Sequence, residues 1–194
     1  MNRYFEIPEI KITDDLKNLP YSNYNGSDGS YGKGGHTLKM FSYSAGHIPA
    51  ISNIYNNFKK QDILGQATLL TVDPGATVLP HIDAFRQAAI NIPISSNWRE
   101  CYTGFYSARG WRKMIFLPNI LHTAGKVTRN PGGAYPLAKL EEKLVYSNAV
   151  CLNIQEMHGV VNNSNEPRYV LSISIKPQYD FKYVQDLYNA GELI

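Results

Sequence analysis

His81 and Asp83 stand two residues apart in Val78-Leu79-Pro80-His81-Ile82-Asp83. In a strand, side chains two apart share a face and lie about 7 Å apart along the backbone. The imidazole and the carboxylate are therefore expected to point the same way, with Ile82 packing on the other side. A His-x-Asp pair is weak by itself, because such pairs arise often by chance. It gains weight from Glu156-Met157-His158-Gly159-Val160-Val161-Asn162-Asn163, which supplies a second histidine, and from Arg168, ten residues beyond that histidine. Two imidazoles and one carboxylate form the set that holds Fe(II) on one face and leaves its other positions open. The expected metal ligands are His81, Asp83 and His158. The alternative for Asp83 is an outer role, orienting His81 as a hydrogen-bond acceptor.

Arg168 has its own chemistry. Ala149 to Ile154 and Tyr169 to Ile175 read as strands, and Asn162-Asn-Ser-Asn-Glu-Pro167 between them is dense in turn formers. The expectation is a hairpin. Folded symmetrically, it sets Arg168 opposite Val161, roughly 10 Å along the ladder from His158. Alternation places Arg168, Val170, Ser172 and Ser174 on one face, which carries a cation and hydroxyls as a ligand-holding interior would. Tyr169, Leu171, Ile173 and Ile175 take the other face, under helices. A guanidinium at that distance suits a small dicarboxylate, chelating the metal at one end and meeting the planar fork at the other. The plainer role for Arg168 is a surface ion pair with Glu166.

The elements that must position these residues are mostly short strands. Ala67–Val72, Val78–Asp83, Gln87–Ile94, Cys101–Ser107, Lys113–Leu117, Ala149–His158 and Tyr169–Lys176 are β-prone, and Asp73-Pro74-Gly75-Ala76 is a turn. This spacing predicts a barrel or sandwich and not a βαβ sheet. Residues 36–43 are expected as a further strand, and residues 13–19 as one or two helical turns. Ile51, Ile54, Tyr55 and Phe58 recur at helical intervals, as do Phe181, Val184, Leu187 and Tyr188, which predicts a helix over each stretch. Leu140–Leu144 reads as a helical turn, and Asn130-Pro131-Gly132-Gly133 as a breaker.

Composition bounds the rest. The 194 residues are 43% hydrophobic and 18% charged, an ordinary globular balance, and a net charge of +3 without a dense basic block gives no case for nucleic acid. No apolar run reaches membrane-spanning length, and the first residues lack the apolar stretch of a signal peptide, so a cytoplasmic protein is expected. Cys101 and Cys151 read as small buried residues and not as a disulfide framework.

His81-x-Asp83, His158 and Arg168 together resemble the Fe(II)/2-oxoglutarate-dependent oxygenases. The wording "HGVVNNSNEPRYVLSISI" is similar to the aspartyl/asparaginyl β-hydroxylase-like branch and to prolyl-hydroxylase-like proteins, and "PGATVLPHIDAFRQAAINIPI" resembles the other half of their motif. The resemblance covers roughly residues 65–176. It implies a mainly β chain with flanking helices, a double-stranded β-helix (cupin-like jelly roll), in a single domain over 1–194 with 1–64 and 177–194 as flanking helices and loops. It also implies Fe(II) and 2-oxoglutarate as cofactors, Arg168 as the residue that binds the far carboxylate, and Asn91 near a polar cofactor-pocket position, with Arg86 close by. The aspartyl/asparaginyl branch often has glycine where this chain has Asp83, which weakens any transfer of that branch's substrate. The implied activity is hydroxylation of an amino-acid side chain, free or in a peptide.

Two other functions are compatible with the triad: a metal-binding cupin module without catalysis, and a cupin isomerase or dioxygenase that uses no 2-oxoglutarate. Arg168 separates them, because neither needs a cation there. Tyr21 to Gly35, rich in Gly, Ser, Asn and Tyr, is either an exposed loop or a lid over the site. Trp98, Trp111 and that loop suit a substrate groove or plain aromatic packing. His36, His47 and His122 show no partner spacing, and Asn162 and Asn163 read as turn residues.

Overall fold

The computed structural model describes residues 2–19, 48–83, 86–109, 135 and 137–194, and the backbone of 38–43, 117–123 and 126–134. The Tyr21–Gly35 loop, His36, His47 and Trp111 lie outside the described residues, as does the side chain of His122.

Twelve strands and three helices follow one another among the described residues. In chain order they are β1 (Tyr4–Ile7), α1 (Asp14–Lys17), β2 (Leu38–Tyr43), α2 (Pro49–Asn56), β3 (Leu64–Val72), β4 (Thr77–His81) and β5 (Ala88–Pro93). Next come β6 (Cys101–Ser107), β7 (Leu117–Thr123), β8 (Lys126–Ala134), β9 (Lys139–Leu144), β10 (Ala149–Asn153), β11 (His158–Asn162), β12 (Arg168–Ile175) and α3 (Phe181–Asn189). One antiparallel sheet has the order β1-β10-β5-β12-β3-β2, the other β7-β8-β4-β11-β6-β9. Successive strands switch sheets: β3 to β4, β5 to β6 and β10 through β12 each cross from one layer to the other. The interleaving of two four-stranded layers, β10-β5-β12-β3 and β4-β11-β6-β9, is the double-stranded β-helix of the cupin-like jelly rolls. β1 and β2 widen the first layer, and the β7–β8 hairpin extends the second.

The main apolar core lies outside this barrel, behind the first sheet. Leu69, Ile90, Ile92, Cys151, Leu171, Ile173 and Ile175 project from it onto Leu16 of α1, Ile51 and Ile54 of α2, and Phe181 and Val184 of α3. Each fully buried Ile or Leu contributes about 1.5–3 kcal/mol. The alternation expected of β12 is the one found, with Leu171, Ile173 and Ile175 in the helix-covered layer and Arg168, Val170 and Ser172 buried on the opposite face. α3 opens on Asp180, whose carboxylate accepts the Tyr183 N–H at 2.7 Å. Both cysteines are buried and free.

Three local expectations are corrected. Leu140–Leu144 is not a helical turn; it belongs to β9, at the edge of the second sheet, where Lys139, Glu141 and Lys143 point outward. Asn130–Gly133 does not end an element, because β8 runs through it as an irregularity, four steps on β8 matching two on β7 between the Asn119–Asn130 and Leu117–Ala134 pairs. Finally, β11 and β12 do not form a hairpin. β11 pairs with β4 and β6, β12 with β3 and β5, and Asn163–Pro167 carries the chain from one sheet to the other.

Candidate metal centre

His81 ends β4 and His158 begins β11, and the two are directly paired across the ladder. Their face is set by a bulge. Val160 pairs with Val78, so two steps on β11 answer three on β4, and the extra residue turns His81 onto the face that Val78 shares with Val160. Gly159 lies opposite the bulge. A Cβ there would come within 2.7 Å of the Val78 carbonyl oxygen and 3.2 Å of the Pro80 nitrogen, so only glycine admits this close passage of β4.

Asp83 lies beyond the end of β4, so strand alternation does not place it as expected. Its N–H donates to the Ile154 carbonyl at 3.2 Å, and the Gln155 amide donates to the carbonyls of Asp83 (2.8 Å) and Arg86 (2.5 Å). Held this way, its Oδ1 lies 3.5 Å from His81 Nε2, while Oδ2 accepts from Arg86 Nη2 at 2.5 Å.

The three donor groups converge. One ligand atom each from His81, Asp83 and His158 lies within 4.8 Å of the others, and the imidazole centroids are 4.5 Å apart. His81 Nδ1 donates to the Leu79 carbonyl at 2.8 Å and His158 Nδ1 to the Glu156 carbonyl at 3.0 Å. Those bonds fix the tautomer and leave each Nε2 lone pair for a metal. Burial and the neighbouring His81 push His158 down to about 4, keeping it neutral. For Asp83, burial pushes the pKa up, but the close His81 imidazole and the Arg86 guanidinium outweigh it and hold the carboxyl well below its usual range. A neutral His158 and an ionised Asp83 are protonation states that binding a divalent cation requires.

Arg168 reaches this interior from the opposite sheet. It is 5% exposed, and its guanidinium donates to the Tyr102 carbonyl (3.2 Å), Thr103 Oγ1 (3.4 Å) and the Tyr146 hydroxyl (2.9 Å). The expected alternative, an ion pair with Glu166, is not formed, and among the described residues no carboxylate pairs with Arg168. Thr103 stands two residues along β6 from Phe105, the residue paired with His158, which puts the guanidinium end roughly 7 Å from the His158 row. The approach to the metal thus runs through β6 and not through a hairpin register.

Asn91 lies on β5 of the first sheet. It pairs with Ser172 and Val150 across the first sheet, so its side chain shares the inner face with Arg168, and its Oδ1 is buried without a hydrogen-bond partner. Asn162 is fully buried. Its amide donates to the carbonyls of Val72, Asp73 and Glu166 and its Oδ1 accepts from Cys101 Sγ, Ser164 N and Ser164 Oγ. Sequence reasoning placed Arg86 loosely in the cofactor pocket and took Asn162 for a turn residue. It missed Tyr146, Thr103 and Gln155, whose partners are distant in the chain and leave no local signal. Trp98 carries Arg99 stacked on its ring at 4.3 Å.

No protein-family model matches the sequence, and no curated protein matches it. Solved structures do match. A prolyl-4-hydroxylase from Pseudomonas putida superposes with a TM-score of 0.53 at 11% identity, over 90% of this chain and 92% of that one. The epimerase SnoN, solved with Fe3+, α-ketoglutarate and nogalamycin RO, gives a TM-score of 0.49 at 14% identity over 89% and 78% of the two chains. An oxalate decarboxylase, OxdC, from Bacillus subtilis gives 0.35 at 16% identity over 77% of this chain and 28% of that one. At these identities the likeness to the prolyl-4-hydroxylase is one of fold, and it covers nearly the whole of both chains.

Proposed function

We propose that the protein is an Fe(II)- and 2-oxoglutarate-dependent oxygenase that hydroxylates an amino-acid side chain, free or in a peptide. The observation that carries this reading is Arg168. Burying a guanidinium against neutral oxygens alone is costly, and the cost is offset when an anion completes the site. The donor set suits the metal: His81, Asp83 and His158 would hold it, with both Nε2 atoms free of other bonds. The interior suits a dicarboxylate: Arg168 would take the far carboxylate, Tyr146 and Thr103 would orient the guanidinium, and the Asn91 amide oxygen, lacking a partner, would accept from a water beside the ligand.

Bound iron would activate dioxygen, one oxygen atom entering succinate as 2-oxoglutarate loses carbon dioxide and the other entering a substrate C–H bond as a hydroxyl. The chain's own contribution is geometry and charge. His81 and Asp83 belong to the β4 end and His158 to β11, so the second sheet would hold the metal while Arg168 of the first would hold the dicarboxylate. The cluster of Val72, Ala76, Val78 and Val160 forms an apolar wall of this interior.

The test is anaerobic calorimetry of 2-oxoglutarate with the iron-loaded protein and with Arg168→Leu and Arg168→Lys. Charged hydrogen bonds contribute about 1.5–3 kcal/mol each, so the leucine variant should bind at least about tenfold more weakly and release no succinate, while keeping iron. The lysine variant, with charge but no fork, should fall between. If the parent binds iron but no 2-oxoglutarate, the oxygenase reading fails and a metal-binding cupin module takes its place.

A further inference from the structure

We infer that Arg86 is a positioning residue that holds Asp83 to the metal through one oxygen and so keeps a coordination position open for dioxygen. The inference rests on the oxygenase reading and concerns which positions of the ion the protein itself fills. Asp83 has two oxygens in different surroundings. Oδ1 faces His81 Nε2 at 3.5 Å, inside the donor cluster, and Oδ2 is taken by Arg86 Nη2 at 2.5 Å. A carboxylate that swung to present both oxygens to an ion would have to give up that ion pair.

The ion pair is held from behind. Gln155 donates to the backbone carbonyls of both Asp83 and Arg86, and the Asp83 N–H donates to Ile154. The same turn is fixed by Gln155 N–H on Asn153 Oδ1 (3.2 Å) and Glu156 N–H on the Asn153 carbonyl (3.2 Å), and its Glu156 carbonyl receives His158 Nδ1–H. One turn therefore anchors the segment carrying Asp83 and Arg86 as well as the second histidine. The Asp83 side chain is 16% exposed and that of Arg86 34%, so the pair is partly shielded from water. Outer partners of this kind orient ligands and alter a metal site without touching the ion.

Coordination counting gives the pair its meaning. Three ligands of one atom each, plus a 2-oxo acid held through two atoms, would leave a six-coordinate Fe(II) one further position. If Asp83 bound through both oxygens, that position would be filled. Arg86 holds Oδ2 away and so decides whether the third component of the reaction can enter.

The experiment uses the anaerobic Fe(II)-loaded protein with 2-oxoglutarate, titrated with nitric oxide as a dioxygen surrogate and followed by absorption and electron paramagnetic resonance. The parent should take up nitric oxide. Arg86→Met, with iron and 2-oxoglutarate bound, should take it up at least tenfold more weakly. Arg86→Lys, which keeps a cation for Oδ2, should restore most of the uptake, and Gln155→Met, which loosens the turn, should lie between. If Arg86→Met does not retain iron, the Lys variant carries the comparison: iron and nitric oxide uptake near the parent's supports the inference, and loss of both overturns it. Nitric oxide uptake by Arg86→Met equal to the parent's also overturns it. A parent that binds no 2-oxoglutarate refutes the oxygenase reading itself, an outcome distinct from either.

Discussion

Replacing Gly159 by alanine adds one methyl group at the point where the bulge of β4 crosses β11, next to His158. The added carbon would lie 2.7 Å from the Val78 carbonyl oxygen, 3.2 Å from the Pro80 nitrogen and 3.3 Å from the Tyr106 ring. Two of those atoms are backbone, so relief requires β4 to withdraw by about 0.7 Å to reach ordinary contact. β4 ends in His81, and ligand positions must hold within about 0.5 Å to remain productive. The substitution should thus cost about 1–3 kcal/mol of stability and lower metal affinity by about tenfold or more. Gly104→Ala is the matched control on the paired strand. There the methyl meets only side chains, the Tyr106 ring at 2.6 Å and Leu140 Cδ1 at 2.8 Å, which can swing aside. It should lose some stability and keep the metal. Chemical denaturation and titration with Co(II) read the two quantities separately. A folded Gly159→Ala with the parent's metal affinity, or a Gly104→Ala that loses as much, would refute the claim that the bulge aims His81.

Three further outcomes are expected. His81→Ala, Asp83→Ala and His158→Ala should each lower iron content after anaerobic loading, and unchanged content in all three would remove the site from this place. Asn162→Ala should destabilise the protein by about 3–5 kcal/mol in urea unfolding, because six side-chain hydrogen bonds are lost in a fully buried setting; a loss under about 1 kcal/mol would contradict this. The metal-free protein should lose stability as pH falls from about 6.5 to about 4, by up to roughly 3 kcal/mol. His158, held neutral to about 4 by burial and by His81, refuses a proton there that the unfolded chain accepts. The lowered Asp83 pKa adds a further loss below the ordinary carboxylate range. Thermal unfolding across that window checks the His158 contribution, which a flat profile there contradicts, and its continuation below pH 4 checks that of Asp83.

What the sequence made legible was set by local rules. The two-residue period along β12 separated Arg168, Val170 and Ser172 from Leu171, Ile173 and Ile175, because alternation does not depend on which strand lies alongside. The hairpin failed for the complementary reason. Asn162–Pro167 signals a reversal of the chain, and a reversal serves equally to pair two strands or to pass from one sheet to the other; only the strands' distant partners decide. Lys139–Leu144 is made of good helix formers, yet alternating Lys and Glu on an edge strand discourages edge-to-edge association, and tertiary pairing with β6 overrode the propensity. Asp83 was brought beside His81 by Gln155, seventy-two positions away, and not by the strand period used to group them. The His81 bulge left no trace beyond a glycine on the neighbouring strand.

The position of the main core bears on how freely the interior can change. The large cluster that binds α1, α2 and α3 to the first sheet lies on its outer face, whereas the barrel's inner face carries smaller apolar groups around Val72 and Val150 together with polar chains such as Asn91 and Ser172. Thr68 and Leu70, partly exposed and paired with Ser172 and Val170, share that inner face with Arg168. Substitutions at such positions would reshape what the barrel admits while leaving untouched the layer that secures the chain. Ligand preference and thermal stability can thus drift separately in this architecture, and a library directed at the inner face should yield folded variants far more often than one directed at Leu171, Ile173 and their helical partners.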